Sequence, residues 1–98
     1  MRLTQNERLV LVEKAQEVLG DVVVMLFGSR VDDQAKGGDI DLYLKTNNAV
    51  EKPAKAIASI EAKIMMALGE QKIDILLDAP NLERAPIFKI AQKTGVYL

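Results

Sequence analysis

The sequence predicts an α+β domain in which a short mixed sheet of about three strands is covered by helices. Three observations carry that expectation. Val22–Phe27 is an unbroken apolar run rich in β-branched residues, the pattern of a strand covered on both faces and therefore central. Two further strand-like runs, 39–45 and 72–78, set aspartate among isoleucine and leucine. Segments of helical periodicity separate them, giving the order α-β-(short α)-β-α-β-α and a small sandwich.

Each element has its own signals. Thr4 with Glu7 three residues later is a capping box; Leu11, Ala15, Val18 and Leu19 then recur at helical spacing until Gly20 stops a helix over 5–19. The first strand ends abruptly at Gly28-Ser29, and residues 30–38, punctuated by Asp32-Asp33 and Gly37-Gly38, read as a short turn of helix followed by a loop. Strand two runs from about Asp39 to Lys45. Asn47-Asn48 ends it and is placed to cap the next helix, about 50–68, where Val50, Ala54, Ile57, Ile60 or Glu61, Ile64 and Leu68 recur every three or four residues. Pro53 is tolerated in its first turn, Glu51 and Lys55 are spaced as an i,i+4 pair, and Gly69 closes it. Lys72–Asp78 is a third strand, Ala79-Pro80-Asn81 a loop, and Ile87–Lys93 a short helix with Pro86 in its first turn. Val96-Tyr97-Leu98 reads as an apolar tail.

The totals narrow the chemistry. Ninety-eight residues suit one domain over 1–98, and 49% apolar with 28% charged residues is an ordinary globular composition. Aromatic residues are confined to Phe27, Tyr43, Phe88 and Tyr97, too few for base-stacking, and a net charge of −1 argues against direct nucleic-acid binding. The absence of cysteine and histidine removes disulfides, thiol nucleophiles, structural zinc and imidazole catalysis together. A metal would have to be a hard cation on oxygen ligands. No apolar run approaches the ~18 residues of a membrane span and no signal-peptide pattern opens the chain, so a cytoplasmic setting without membrane contact is expected.

The candidate site lies where strand one meets strand two. Side chains alternate along a strand, so Asp39 and Asp41 share one face while Ile40, Leu42 and Leu44 share the other. Two like charges side by side are costly unless a cation sits between them. A glycine and a small hydroxyl at a strand end leave backbone N–H groups free for phosphate. Taken alone, Gly28-Ser29 reads as a turn and Asp39-x-Asp41 as a solvated strand face; together, each explains an oddity in the other. Asp74 is a third carboxylate in an otherwise apolar strand. Either it pairs with Lys72, Lys45 or Arg30, or its strand lies beside Asp39 and Asp41 and completes a metal cage. Asp78 reads as a turn residue.

Gly28-Ser29, nine intervening residues, Asp39-Ile40-Asp41-Leu42 and the later Asp74 resemble the signature of the DNA polymerase beta-type nucleotidyltransferase superfamily. The run Phe27-Gly28-Ser29-Arg30-Val31-Asp32-Asp33 with Gly37-Gly38-Asp39-Ile40-Asp41-Leu42 is similar to the minimal nucleotidyltransferases, often encoded as antitoxins beside a HEPN-domain toxin; the spacing is one residue shorter than that group's usual form. The resemblance implies the nucleotidyltransferase fold and a transferase that moves a nucleoside monophosphate from a nucleoside triphosphate, ATP by expectation, to a hydroxyl. It implies two Mg²⁺ ions held by Asp39 and Asp41, with Asp74 ligating the acceptor-side ion and serving as base. Gly28 would allow close approach of the nucleotide and Ser29 would donate to its β- or γ-phosphate. Arg30 would add charge stabilisation or pair with a surface acid. With no added acceptor-binding domain, the expected acceptor is a HEPN protein, adenylylated on tyrosine, within a homo- or hetero-oligomer. Ile87, Phe88, Ile90 and the tail either dock that partner or only close the core. Two alternatives stand beside this reading: a catalytically vestigial antitoxin acting by occlusion, and a small-molecule adenylyltransferase of the aminoglycoside type.

Overall fold

The computed structural model describes residues 3–28, 39–83 and 85–98. Among them the order is α1 (Gln5–Leu19), β1 (Val22–Phe27), β2 (Ile40–Thr46), α2 (Pro53–Leu68), β3 (Ile73–Asp78), α3 (Ile87–Thr94) and β4 (Val96–Tyr97). The α+β class holds, with one correction. The sheet has four strands rather than about three, in the order β3-β2-β1-β4, because the expected tail pairs with β1. Leu98 N–H extends that edge by donating to the Val24 carbonyl at 2.9 Å. β1 is antiparallel to β2 and β4, whereas β2 and β3 run parallel, joined through α2.

The strand alternation divides the sheet into two faces. Val24, Leu26, Ile40, Leu42, Leu44, Ile73 and Leu77 meet Leu11, Ala15 and Leu19 of α1 and Ile60 and Ile64 of α2 in the main core. Each large side chain buried there stabilises the fold by about 1.5–3 kcal/mol. On the opposite face a smaller cluster joins Met25 and Tyr43 to Phe88 and Ala91 of α3. β1 is therefore covered on both faces over its second half, while Val23 remains exposed.

Thr4 and Glu7 form the expected capping box at α1: Glu7 N–H donates to Thr4 Oγ1 (3.1 Å) and Thr4 N–H to Glu7 Oε1 (2.9 Å). α2 differs from expectation at its start. It begins at Pro53, not near 50, with Lys52 as an N-cap that makes no side-chain cap hydrogen bond. Val50 is engaged elsewhere, donating its N–H to Asn81 Oδ1 (2.9 Å) and accepting from Asn81 Nδ2 (2.8 Å). Asn48 does not cap the helix; its N–H goes back to Thr46 Oγ1 (3.2 Å), whose hydroxyl donates to the Asp21 carbonyl (2.9 Å). Glu51 lies outside the helix, so its i,i+4 spacing to Lys55 has no helical meaning. Among the described residues no helix is long and apolar enough to cross a membrane.

Candidate active site

Two strands carry their carboxylates to the same end of the sheet. In the parallel β2–β3 ladder Ile40 stands opposite Ile73 and Asp41 opposite Asp74. In-register neighbours project to the same face, so the apolar pair enters the main core and the acidic pair leaves on the other side. Asp39, two residues before Asp41, belongs to that acidic face. Residues far apart in sequence thus meet, and Asp74 and Asp39 both bear on Asp41.

The electrostatics follow from this crowding. The pKa of Asp41 is raised above the ordinary carboxylate value. Desolvation by partial burial is the largest cause, followed by the negative charge of Asp74, that of Asp39, and hydrogen bonding toward Asp74 that favours the protonated Asp41; Lys72 acts in the opposite sense. Placing a proton or a cation among these oxygens relieves the same repulsion.

Gly28 completes the geometry. Phe27 is the register partner of Asp41, which brings the next residue against the Asp41 side chain. A Cβ at position 28 would fall onto Asp41 Oδ2 and lie 3.1 Å from its Cγ. The backbone there also has φ +77°, in the left-handed region that favours glycine. Glycine is therefore required twice, for its conformation and for the space it leaves beside the carboxylate. Ser29 and Arg30, together with the short helical turn expected over 30–38, lie outside the described residues.

Lys72 pairs with Asp39 (Nζ–Oδ2 3.5 Å), and not with Asp74 as the simplest salt-bridge account would have it. Among the described residues no group of three or more acidic side chains stands ready to hold a metal ion. The donor set nevertheless suits a hard divalent cation: it is all oxygen, Asp41 and Asp74 are already adjacent, and Gly28 leaves room for the Asp41 carboxylate. The third ligand would require only that Asp39, whose side chain is 44% exposed, turn from an exposed ion pair.

One buried polar pair was hidden in the sequence. Asp78 is not a turn residue; it ends β3, is 6% exposed, and accepts a hydrogen bond from the fully buried Tyr43 hydroxyl. The Tyr43 ring in turn packs 5.6 Å, centroid to centroid, from Phe88. This links β2, β3 and α3 next to the acidic face. A cavity of about 460 Å³, bordered by Val18, Leu19, Val50, Lys52, Lys55 and Ser59, lies at the other end of β2 and has no part in the carboxylate cluster. Compared with family models and with curated proteins, the chain matches none.

Proposed function

We propose that this chain is a Mg²⁺-dependent nucleotidyltransferase that moves a nucleoside monophosphate, AMP from ATP in the favoured case, to a hydroxyl on a protein partner. The observation that carries the reading is the register of β2 and β3, which sets Asp74 beside Asp41 with Asp39 on the same face and Gly28 packed against the Asp41 carboxylate. Structural acids seldom gather in this way without a charge to neutralise them. The α+β sheet of mixed direction is consistent with the nucleotidyltransferase resemblance of the sequence.

In this mechanism Asp39, Asp41 and Asp74 would hold the ions. Bound Mg²⁺ supplies charge neutralisation for the triphosphate and for the attacking and leaving oxygens. Asp74, the most exposed of the three acids, takes the proton of the acceptor hydroxyl. The resulting oxygen bonds to the α-phosphorus while the bond to the bridging oxygen breaks, and pyrophosphate leaves. Gly28 and Ser29 would cradle the phosphates through backbone and hydroxyl donors, with Arg30 adding positive charge. The acceptor favoured by the resemblance is a HEPN-domain toxin, which would make this chain a cytoplasmic antitoxin.

The direct test incubates the protein with α-labelled ATP, Mg²⁺ and the product of the neighbouring gene. Label should pass to that partner, and Asp41→Asn should abolish transfer while preserving the fold. Undiminished labelling by the variant would remove the carboxylate mechanism. A second reading, neutralisation by occlusion with a vestigial site, draws on the diversion of Asp39 to Lys72 and the lack of a ready three-carboxylate group among the described residues. Persistent neutralisation by a triple Asp39/Asp41/Asp74 alanine variant would favour it.

A further inference from the structure

Lys72 was no part of the site expected from sequence beyond a possible pairing with Asp74, yet the fold builds it in. The Ile40 N–H donates to the Lys72 carbonyl at 3.0 Å, which carries the β2–β3 ladder back by one step. With Ile40 opposite Ile73, that step places Lys72 across from Asp39. The Nζ–Oδ2 contact of 3.5 Å is therefore set by strand register, not by chance reach of a long side chain. Both ends are accessible, at 74% exposure for Lys72 and 44% for Asp39. A pair so exposed is held weakly and exchanges readily. The consequence is visible in the cluster: Asp74 stands beside Asp41 in register, while the third acid is occupied by the ammonium.

We propose that Lys72 is the resident counter-cation of the site, neutralising Asp39 in the free protein and releasing it when a divalent ion binds, so that it sets the ion concentration at which the site fills. The role rests on the metal-site reading above and concerns positioning, since Lys72 acts through Asp39. A merely structural lysine behaves differently: its loss would weaken the fold and ion binding together. A counter-cation has opposite effects on the two, because its removal leaves the acidic cluster less stable when empty and more attractive to a competing cation.

The test titrates Mn²⁺ into the full chain, followed by the paramagnetic resonance signal of the free ion, for wild type, Lys72→Met and Lys72→Arg. Repulsion between an ammonium and a divalent ion a few ångström away in near-aqueous surroundings predicts about five- to tenfold tighter binding by Lys72→Met at low salt. The advantage should shrink at high salt, and Lys72→Arg should match wild type. The metal-free Lys72→Met protein should melt about 1–5 °C lower. If wild type binds Mn²⁺ and Lys72→Met binds it equally or more weakly, the counter-cation role is overturned and the metal site stands. If neither protein binds Mn²⁺, both fall. Binding by Lys72→Met alone supports the role in its strongest form.

Discussion

The close approach of Gly28 to Asp41 gives a prediction whose two energetic parts can be separated. Replacing Gly28 with alanine imposes a side chain on a backbone at φ +77°, which costs about 1–3 kcal/mol. It also drives a methyl group onto the Asp41 carboxylate. Overpacking costs about 1–3 kcal/mol, and the lower end applies here because the displaced atoms end a partly exposed side chain that can rotate. Gly28→Ala should therefore destabilise by about 2–4 kcal/mol. In an Asp41→Ala background the collision disappears while the backbone strain remains, so the same substitution should cost about 1 kcal/mol less. That coupling corresponds to roughly 4–8 °C in melting temperature for a chain of this size. Urea denaturation of the four proteins in the cycle measures it with the strain cancelled. A coupling below about 0.5 kcal/mol would falsify the claim that Gly28 is kept small for Asp41.

Two further outcomes follow from the same face. Asp41 has a raised pKa in the folded chain, so its contribution is fully present below the ordinary value of 3.8 and is lost as pH rises through the folded pKa. Stability of Asp41→Asn relative to wild type should accordingly increase from pH 3.8 upward and then level, and saturating Mg²⁺ should restore the wild type at neutral pH; a flat difference curve from calorimetry would contradict this. Tyr43→Phe removes a hydroxyl donor from the buried Asp78 carboxylate and should cost about 1.5–3 kcal/mol by denaturant midpoint, without the altered ion affinity expected of a site residue.

Much of this arrangement was legible in the chain because its signals are local. The Thr4/Glu7 box, the β-branched run before Gly28 and the alternation through Asp39-Ile40-Asp41-Leu42 each need only neighbouring residues, and the elements fall within a few residues of expectation. The start of α2 was misplaced because Val50 is claimed by Asn81 from a distant loop, a contact with no trace in periodicity. β4 was missed because two residues carry no strand pattern; its conformation comes from pairing with Met25 and Leu26. Asp78 was misread for a related reason. Its position next to Ala79-Pro80 suggests a turn, and only the β2–β3 register shows that Tyr43 is near enough to satisfy it when buried.

Among the described residues, the two sides of the sheet carry helices of unequal length. α1 and α2, with 15 and 16 residues, run about 22–24 Å at 1.5 Å per residue, which matches the roughly 23 Å of the seven-residue β2. On that face β2 carries Ile40, Leu42 and Leu44, all fully buried. α3 has eight residues, about 12 Å, half the length of either. It buries Phe88 and Ala91 against Met25 and Tyr43, and Tyr43 with Asp78 marks where that cover is anchored. Asp41 lies two residues before Tyr43 on the same face, half-buried and opposite Phe27, which packs against this cluster, while Asp74 beside it is exposed. Burying these acids further would cost on the order of several kcal/mol per charge unless a cation entered with them, and Asp41, where burial is already the largest cause of the raised pKa, would bear that cost first.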